Sequence, residues 1–248
     1  NLYRMLIAII ADLHSNLEAV RAVFQQIDKR KPDKVLCLGD LTGYNANPNE
    51  VIDIIREREI PTVMGNHDAA VCGVETPWFF RASATRAIEW QIEQIRDDNR
   101  RWLAVCPEEI QFSGFCLGVH GALSSRDDYI MDWLDAIRQL EYLNGREHIT
   151  ACFFGHSHRP SYFSEKGNTQ PTNPSPIRQL HPSNRYFINP GAVGQPRDHD
   201  PRAAFGLVDT QKRTFEFCRV EYDVDTAVHK ILQAGLPSDL ARRLIRGK

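Results

Sequence analysis

No run of eighteen consecutive apolar residues occurs in the sequence, so no stretch has the length and hydropathy of a transmembrane helix. Nor does the N-terminus show the charged-then-apolar layout of a secretory signal, which makes the cytoplasm the expected compartment. The six cysteines (Cys37, Cys72, Cys106, Cys116, Cys152 and Cys218) form no C-x-x-C pair, so the common thiolate metal and dithiol redox motifs are absent. Most lie in apolar runs and read as small buried hydrophobes of a reducing compartment. An excess of one charge is missing as well. Thirty basic residues against 32 acidic ones leave a net charge of −2, which provides no global field for nucleic acid or an anionic membrane. There is no internal repeat.

What is present is ordinary in bulk and specific in pattern. The 248 residues are 42% apolar and 25% charged, enough to bury a substantial core. They suit one large α/β domain over 1–248 better than two small ones. An apolar strand at Met5–Ala11 precedes Ser15-Asn16-Leu17-Glu18, which has the form of a capping box, and a helical stripe of Leu17, Val20, Val23, Phe24 and Ile27. Val35–Leu38 reads as a second strand, Asn47-Pro48-Asn49-Glu50 as the start of a second helix, and Ile60–Met64 as a third strand. This β-α-β-α-β order predicts a parallel sheet with right-handed crossovers.

A helical excursion follows at about 75–106. A hairpin is expected at Glu109–Phe112 and Phe115–His120, then a helix over Asp132–Asn144 and a strand at Ile149–Phe154. Residues 164–184, rich in proline and small polar groups, read as a long mobile surface loop. Strands at Tyr186–Ile188, Ala204–Val208 and Thr214–Val220 suit a second sheet packed on the first. Helices are expected at Asp225–Ala234 and Ser238–Arg246.

The chemistry collects where apolar runs end. Met5–Ala11 leads into Asp12-Leu13-His14, and Val35–Leu38 into Gly39-Asp40. Ile60–Met64 leads into Gly65-Asn66-His67-Asp68. Val119-His120-Gly121 and Gly155-His156-Ser157-His158 follow two later runs. Any one of these is weak, because a polar loop after a strand is commonplace. The ordered set is different: five of the nine histidines fall inside it, at the strand ends where open α/β sheets place ligands. A mixed Asp/Asn/His shell suits Mn, Fe or Zn better than Ca. Asp40 is the residue expected at the centre, since one carboxylate can bridge two cations.

With these motifs in place, the sequence resembles the calcineurin-like metallophosphoesterase superfamily and, through Asn189-Pro190-Gly191-Ala192-Val193-Gly194-Gln195-Pro196-Arg197 and the Ala234–Pro237 tail, its compact bacterial phosphodiesterase branch. The resemblance implies an α/β fold of two packed β-sheets, a two-sheet β-sandwich flanked by helices, with a dinuclear site at the strand ends. It assigns Asp12, His14, Asp40 and His158 to a first metal, and Asp40, Asn66, His120 and His156 to a second. The implied cofactors are two divalent ions, Mn first, with Fe, Zn or Ni as alternatives. Ions about 3.5–4 Å apart can share a hydroxide for in-line attack on phosphorus. His67 is the implied group for protonating the leaving oxygen or stabilising its charge. Asp68 is a candidate to orient His67, with a plain loop acid as the alternative reading.

One departure bears on substrate. The second motif is Gly39-Asp40-Leu41-Thr42-Gly43-Tyr44, without the acid and arginine of the protein phosphatases and symmetrical dinucleoside tetraphosphatases. A phosphate clamp must come from elsewhere, and Arg197 and Arg202 are the candidates, against a reading as solvated loop charges. Asp198-His199-Asp200 reads as a polar turn before it reads as a third metal site. Trp78-Phe79-Phe80 reads as a helix anchor before a pocket wall, and Cys72 as packing. The function expected is a phosphodiesterase on small nucleotide-like substrates. Alternatives are a phosphomonoesterase or dinucleoside polyphosphate hydrolase, and a non-catalytic binding scaffold of the same fold. A nuclease would want a basic groove, so the expected partner is a small phosphorylated substrate rather than nucleic acid or membrane.

Overall fold

Alternation along the first strand decides how the layers are built. In β1 (Leu6–Ile10) the side chains of Ile7 and Ile9 enter one core, and those of Ala8 and Ile10 enter another. Both faces of this strand are therefore covered. The structure is a computed structural model that describes residues 5–76, 80–167 and 176–248.

Two five-stranded mixed sheets result. In the first, β2 (Lys34–Cys37) lies parallel to β1, and β9 (Ala203–Asp209) runs antiparallel on the other side of β1. β10 (Thr214–Val220) and β7 (Ile177–Gln179) complete it. In the second, β4 (Cys116–Val119), β5 (Ala151–Phe153) and β8 (Tyr186–Asn189) are parallel neighbours. β3 (Glu109–Phe112) and β6 (Ser161–Ser164) close its edges antiparallel.

The core between the sheets holds Ile7, Ile9, Val208 and Phe215 from one and Cys116, Phe153 and Ile188 from the other. On the outer face of the first sheet, α1 (Leu17–Arg30) lays Val20, Val23, Phe24 and Ile27 over Ala8, Ile10 and Leu207. On the outer face of the second, α6 (Trp133–Arg138) contributes Ala136 against Leu117, Cys152 and Phe154. α2 (Pro48–Glu57) and α5 (Asp97–Leu103) join the first helix layer. α3 (Asn66–Cys72) adds Ala70 and Val71 to the same core, and α4 (Ala82–Gln94) packs Ala84 and Ala87 with the tail helices α7 (Val224–Gln233) and α8 (Ser238–Arg246). Among the described residues, no helix is long and apolar enough to cross a membrane.

Several expectations change. The third strand is reduced to one bridge, Thr62 to Cys37, so the first sheet keeps a single parallel pair. The residual third strand lies beside β2, where Cys37 N–H donates to Pro61 C=O at 3.0 Å and Val63 N–H to Cys37 C=O at 3.1 Å, while β9, from the far end of the chain, takes the other side of β1. The cap of α1 is Asn16, whose Oδ1 accepts the Ala19 N–H at 3.1 Å, while Ser15 is drawn into a different network described below. The helix expected over Asp132–Asn144 divides into α6 and a 3₁₀ turn, Gln139–Leu143. Residues 164–184 are not loop throughout, because Ile177–Gln179 pairs with β10; residues 168–175 lie outside the described residues. In the 75–106 excursion, residues 77–79 likewise lie outside them.

The inter-sheet core predicts a measurable cost. Phe215 is fully buried, with its ring 5.6 Å from that of Phe153 and 4.8 Å from that of Phe217. Phe215→Ala should destabilise the fold by about 3–5 kcal/mol, read by denaturant unfolding. A change under about 1 kcal/mol would show that this contact is not where the two sheets are held together.

Candidate metal centre

Parallel strands from both sheets deliver their C-terminal ends to one place. Asp12 and His14 follow β1, Asp40 follows β2, His120 follows β4, and His156 and His158 follow β5. The loops are joined by backbone hydrogen bonds: His14 N–H to Asp40 C=O at 2.8 Å, Ser15 N–H to Leu41 C=O at 2.8 Å, and Gly194 N–H to Asp12 C=O at 2.8 Å. Asp12, His14, Asp40, His156 and His158 all have left-handed backbone, with φ between +45° and +62°. Such conformations cost on the order of 1–3 kcal/mol each in non-glycine residues, and they cluster where a site requires them.

The ligand atoms fall into two groups that share one residue. Asp12, His14, Asp40 and His158 place one ligand atom each within 4.8 Å of one another, and Asp40, His120 and His156 do the same. Asn66 stands at the second group, its Oδ1 3.2 Å from His120 Nε2. Ring orientation is set from behind. His14 Nδ1 donates to Thr42 C=O at 2.6 Å, His158 Nδ1 to Gln195 C=O at 2.6 Å, and His120 Nδ1 to Leu38 C=O at 2.7 Å. A carbonyl only accepts, so Nδ1 carries a proton in all three and Nε2 is the nitrogen turned to the centre, free as a lone pair wherever the ring is neutral. His156 is reversed: Nε2 faces Asp127 C=O at 3.2 Å, which leaves Nδ1 as its lone pair.

This donor set fits divalent cations. Asp12 Oδ2 and Asp40 Oδ2 are buried without a hydrogen-bond partner. His14 and His158 hold their Nε2 atoms 3.0 Å apart, and His14 Nε2 lies 3.4 Å from Asp40 Oδ2. Two lone pairs and a carboxylate facing one another in a buried space are an arrangement a cation stabilises. Burial pushes the Asp12 carboxyl up to about 7. It acts against the Asp40 charge too, but His120, His67 and His14 outweigh it and hold Asp40 well below the usual carboxylate range. Burial keeps His14 and His158 well below the usual imidazole range and takes His156 down to about 3. His120 goes the other way, to about 9, because Asp40 outweighs its burial.

The remaining candidates divide. His67 lies in the cleft over the ligand groups; its Nε2 is 3.1 Å from the Tyr44 hydroxyl and burial lowers it to about 4. Asp68 does not orient it. Its oxygens accept from Thr42 N–H at 3.0 Å, Thr42 Oγ1 at 2.9 Å, and Leu41 and Gly65 N–H at 3.2 Å. Asp68 therefore holds the Asp40 loop. Arg197 lines the cleft and donates to Tyr44 Oη at 3.0 Å. Arg202 does not line it and is paired with Asp200 at 2.7 Å. Asp198 and Asp200 are engaged by Arg219 and Arg202, so 198–200 is an ion-pair network around His199. Trp78 and Phe79 lie outside the described residues, but Phe80 meets the His67 ring edge-on at 4.7 Å and lines the cleft. Cys72 packs, its Sγ 3.6 Å from Ala69 C=O.

Two residues were not singled out from sequence. Tyr44 links His67 to Arg197 through its hydroxyl. Gln91, buried in the last turn of α4, accepts from Gly43 N–H at 2.6 Å and donates to Ser15 Oγ at 2.9 Å and Asn45 C=O at 2.7 Å. A fully buried glutamine on an apolar helix face was the available cue for Gln91. For Tyr44 the cue was its place four residues after Asp40.

Comparisons with known proteins agree with this geometry. The family model of the calcineurin-like phosphoesterase superfamily domain matches residues 5–213. An uncharacterized protein of Methanocaldococcus jannaschii is 36% identical over 247 residues, covering 99% of each chain. The crystal structure of a metallophosphoesterase from Sphaerobacter thermophilus is 32% identical with a TM-score of 0.86, covering 99% of this chain and 100% of that one. A hypothetical protein from Pyrococcus horikoshii OT3, 18% identical with a TM-score of 0.81 and covering 98% of each chain, shares the fold.

The close approach at Gly65 predicts how the ligands can be displaced without touching them. A Cβ there would stand 2.1 Å from Asp40 Oδ1 and 2.3 Å from the Asp40 amide nitrogen. Gly65→Ala should therefore move Asp40 and lower the bound-metal stoichiometry of purified protein, read by elemental analysis. Full occupancy in that variant would contradict the placement of Asp40 at the centre.

Proposed function

The chain belongs to the calcineurin-like phosphoesterase superfamily, a phosphoester hydrolase family, and on that premise we propose that it is a dinuclear phosphodiesterase of small nucleotide-like substrates. The observation that carries this reading is the sharing of Asp40 between two buried ligand groups. Asp12, His14, Asp40 and His158 would hold one ion; Asp40, Asn66, His120 and His156 would hold the other, with Mn the first choice. When bound, two divalent ions supply positive charge for the phosphoryl oxygens and lower the pKa of the attacking water.

The chain's own residues do the rest. Backbone carbonyls 38, 42 and 195 fix three imidazoles in the tautomer that offers Nε2. His67 stands over the centre as a neutral ring, its burial opposing the charged form. It is suited to stabilise the departing oxygen by a hydrogen bond, and Tyr44 sets the ring by contacting its Nε2. Arg197 adds a guanidinium that has no carboxylate ion pair among the described residues, suited to a phosphate oxygen's charge. The cleft is about 1020 Å³. Tyr129 and Met131 line it from the segment before α6, and Leu240 lines it from α8, so substituents on both sides of a phosphodiester have room.

Two experiments test this. Asp40→Asn should lower both metal content and turnover, whereas an Asp40 with a purely structural role would leave two ions bound and the rate intact. With Mn-loaded protein, bis-p-nitrophenyl phosphate should be hydrolysed with a higher kcat/KM than p-nitrophenyl phosphate, because a singly charged diester needs less neutralisation than a monoester dianion. A clearly higher value for the monoester overturns the phosphodiesterase reading in favour of a phosphomonoesterase.

A further inference from the structure

Four guanidinium groups line the cleft; Arg159 donates its Nε–H to Arg197 C=O at 3.0 Å, and the other three come from separate elements. Arg81 is the N-cap of α4, Arg197 lies in the loop before β9, and Arg243 is on α8. Several arginines elsewhere are matched with carboxylates: Arg30 with Glu216 at 2.5 Å, Arg58 with Asp28 at 2.9 Å, Arg96 with Asp53 at 2.5 Å, and Arg126 with Glu75 at 2.5 Å. Among the described residues, none of Arg81, Arg197 and Arg243 has such an ion pair. Arg197 donates to neutral acceptors only, Tyr44 Oη at 3.0 Å and Gln195 Oε1 at 3.1 and 3.3 Å.

Arg243 is half-buried, and its side chain has no hydrogen-bond partner among the described residues. Asp239, one turn back on the same helix, is engaged instead by Ser83 Oγ at 2.7 Å. α8 is seated against the loop that carries Arg197, since Gly247 C=O accepts the His199 N–H at 2.8 Å. Burial first, then the charges of Arg197 and Arg81, lower the Arg243 pKa, so the three cations act on one another. Asp239, which lines the same cleft, acts against this more weakly; converging like charges destabilise a fold, and an anion bound among them removes that cost.

We propose that Arg81 and Arg243, acting with Arg197, form a subsite for a second phosphate of the substrate, one that does not react. This rests on the hydrolytic reading above and narrows it to substrates with two or more phosphates. The reacting phosphate is placed by the metal ligands; the cluster holds the next one along the chain of the substrate. Guanidinium pairs suit this task because a fork of N–H donors matches phosphate oxygens at fixed geometry. Arg197, which touches Tyr44 beside His67, joins the subsite to the reacting end.

The test is a binding measurement that needs no turnover. Calorimetry on the whole chain after chelator treatment, with circular dichroism to verify folding, would use orthophosphate, tripolyphosphate and adenosine triphosphate as probes. Wild type should bind tripolyphosphate at least tenfold more tightly than orthophosphate. Arg243→Ala and Arg81→Ala should each weaken tripolyphosphate by about tenfold, the scale of one charge-assisted contact. Arg242→Ala removes the same charge from an exposed position on α8 and should change binding less than twofold. Arg81 is on another helix, so its variant reads the subsite if Arg243→Ala fails to fold.

Equal affinity for tripolyphosphate and adenosine triphosphate would assign the subsite to bare phosphate chains, and tighter binding of the nucleotide would assign it to nucleotides. Both results retain the subsite. It is overturned if tripolyphosphate binds no better than orthophosphate, or if the Arg243 and Arg81 variants behave like Arg242→Ala. Hydrolysis of bis-p-nitrophenyl phosphate by Mn-loaded wild type is scored separately. Binding through Arg243 without any phosphoester turnover would overturn the hydrolytic reading and leave the subsite standing.

Discussion

Asp40 is held from one side and left open on the other. Its Oδ1 accepts the His67 N–H at 2.9 Å, at the first turn of α3, and its Oδ2 faces His14 at 3.4 Å and His120 at 3.3 Å with no hydrogen bond. A carboxylate 1% exposed cannot remain so without compensation, because desolvation of a charge costs several kcal/mol. The surrounding imidazoles and the cations their lone pairs invite provide it. The rest of the site can be read as the apparatus that keeps this one side chain in place. Gly65 supplies the space beside it, Asp68 holds the backbone after it, and Gln91 anchors the loop one turn further on.

The apparatus is expensive in backbone energy, and the two-sheet fold is what makes it tolerable. Seven residues at or beside the centre (Asp12, His14, Ser15, Asp40, Tyr44, His156 and His158) have positive φ, together costing on the order of 10 kcal/mol. Isolated loops would relax out of such conformations. Here each loop leaves a strand already paired in a sheet and is cross-bonded to its neighbour, so relaxing one loop would break bonds in the next. The 189–197 loop shows the coupling most clearly. Val193 and Gly194 N–H groups bond to Ala11 and Asp12 C=O, Asn16 Nδ2 donates back to Gly194 C=O, and a Cβ at Gly194 would stand 1.9 Å from Leu13 C=O. Asn189 steadies the opposite side by donating to Gly155 C=O at 2.6 Å.

How much of this was legible in the sequence follows from the range of each interaction. The residues brought together as ligands sit directly after apolar runs, so local pattern alone placed them at strand ends, and the layered α/β architecture follows from the same runs. Roles that depend on direction or on distant partners were not legible. Asp68 beside His67 suggested a carboxylate behind an imidazole, but successive residues on a helix do not face each other. Asp68, at the third position of α3, reaches back to its own cap and the adjoining loop. Ser15 resembled a cap because the pattern fits, but Gln91, seventy-six residues away, takes its hydroxyl and leaves the capping to Asn16. The third strand lies where the pattern put it, beside β2, but its pairing with Cys37 is too brief to count as more than a bridge; what no local pattern encodes is that β9 fills the other side of β1.

Charge shows the same difference between sum and placement. A net charge of −2 argues against a polyanionic partner of large extent, and that inference concerns the whole surface. Within the cleft the balance is local. Asp12 and Asp40 lie among the candidate metal-binding histidines, while Arg81, Arg197 and Arg243 line the open side. Surface arginines matched with carboxylates, such as Arg30, Arg58 and Arg96, project little field beyond a Debye length of about 8 Å at physiological salt. The unmatched ones in a partly desolvated cleft are screened less, so they dominate what a small anion experiences on approach. A nearly neutral chain can therefore carry a locally cationic cleft, and under the reading proposed above a small phosphorylated molecule would be drawn to one orientation there, with its reacting phosphate toward Asp40 and its remaining charge toward α8.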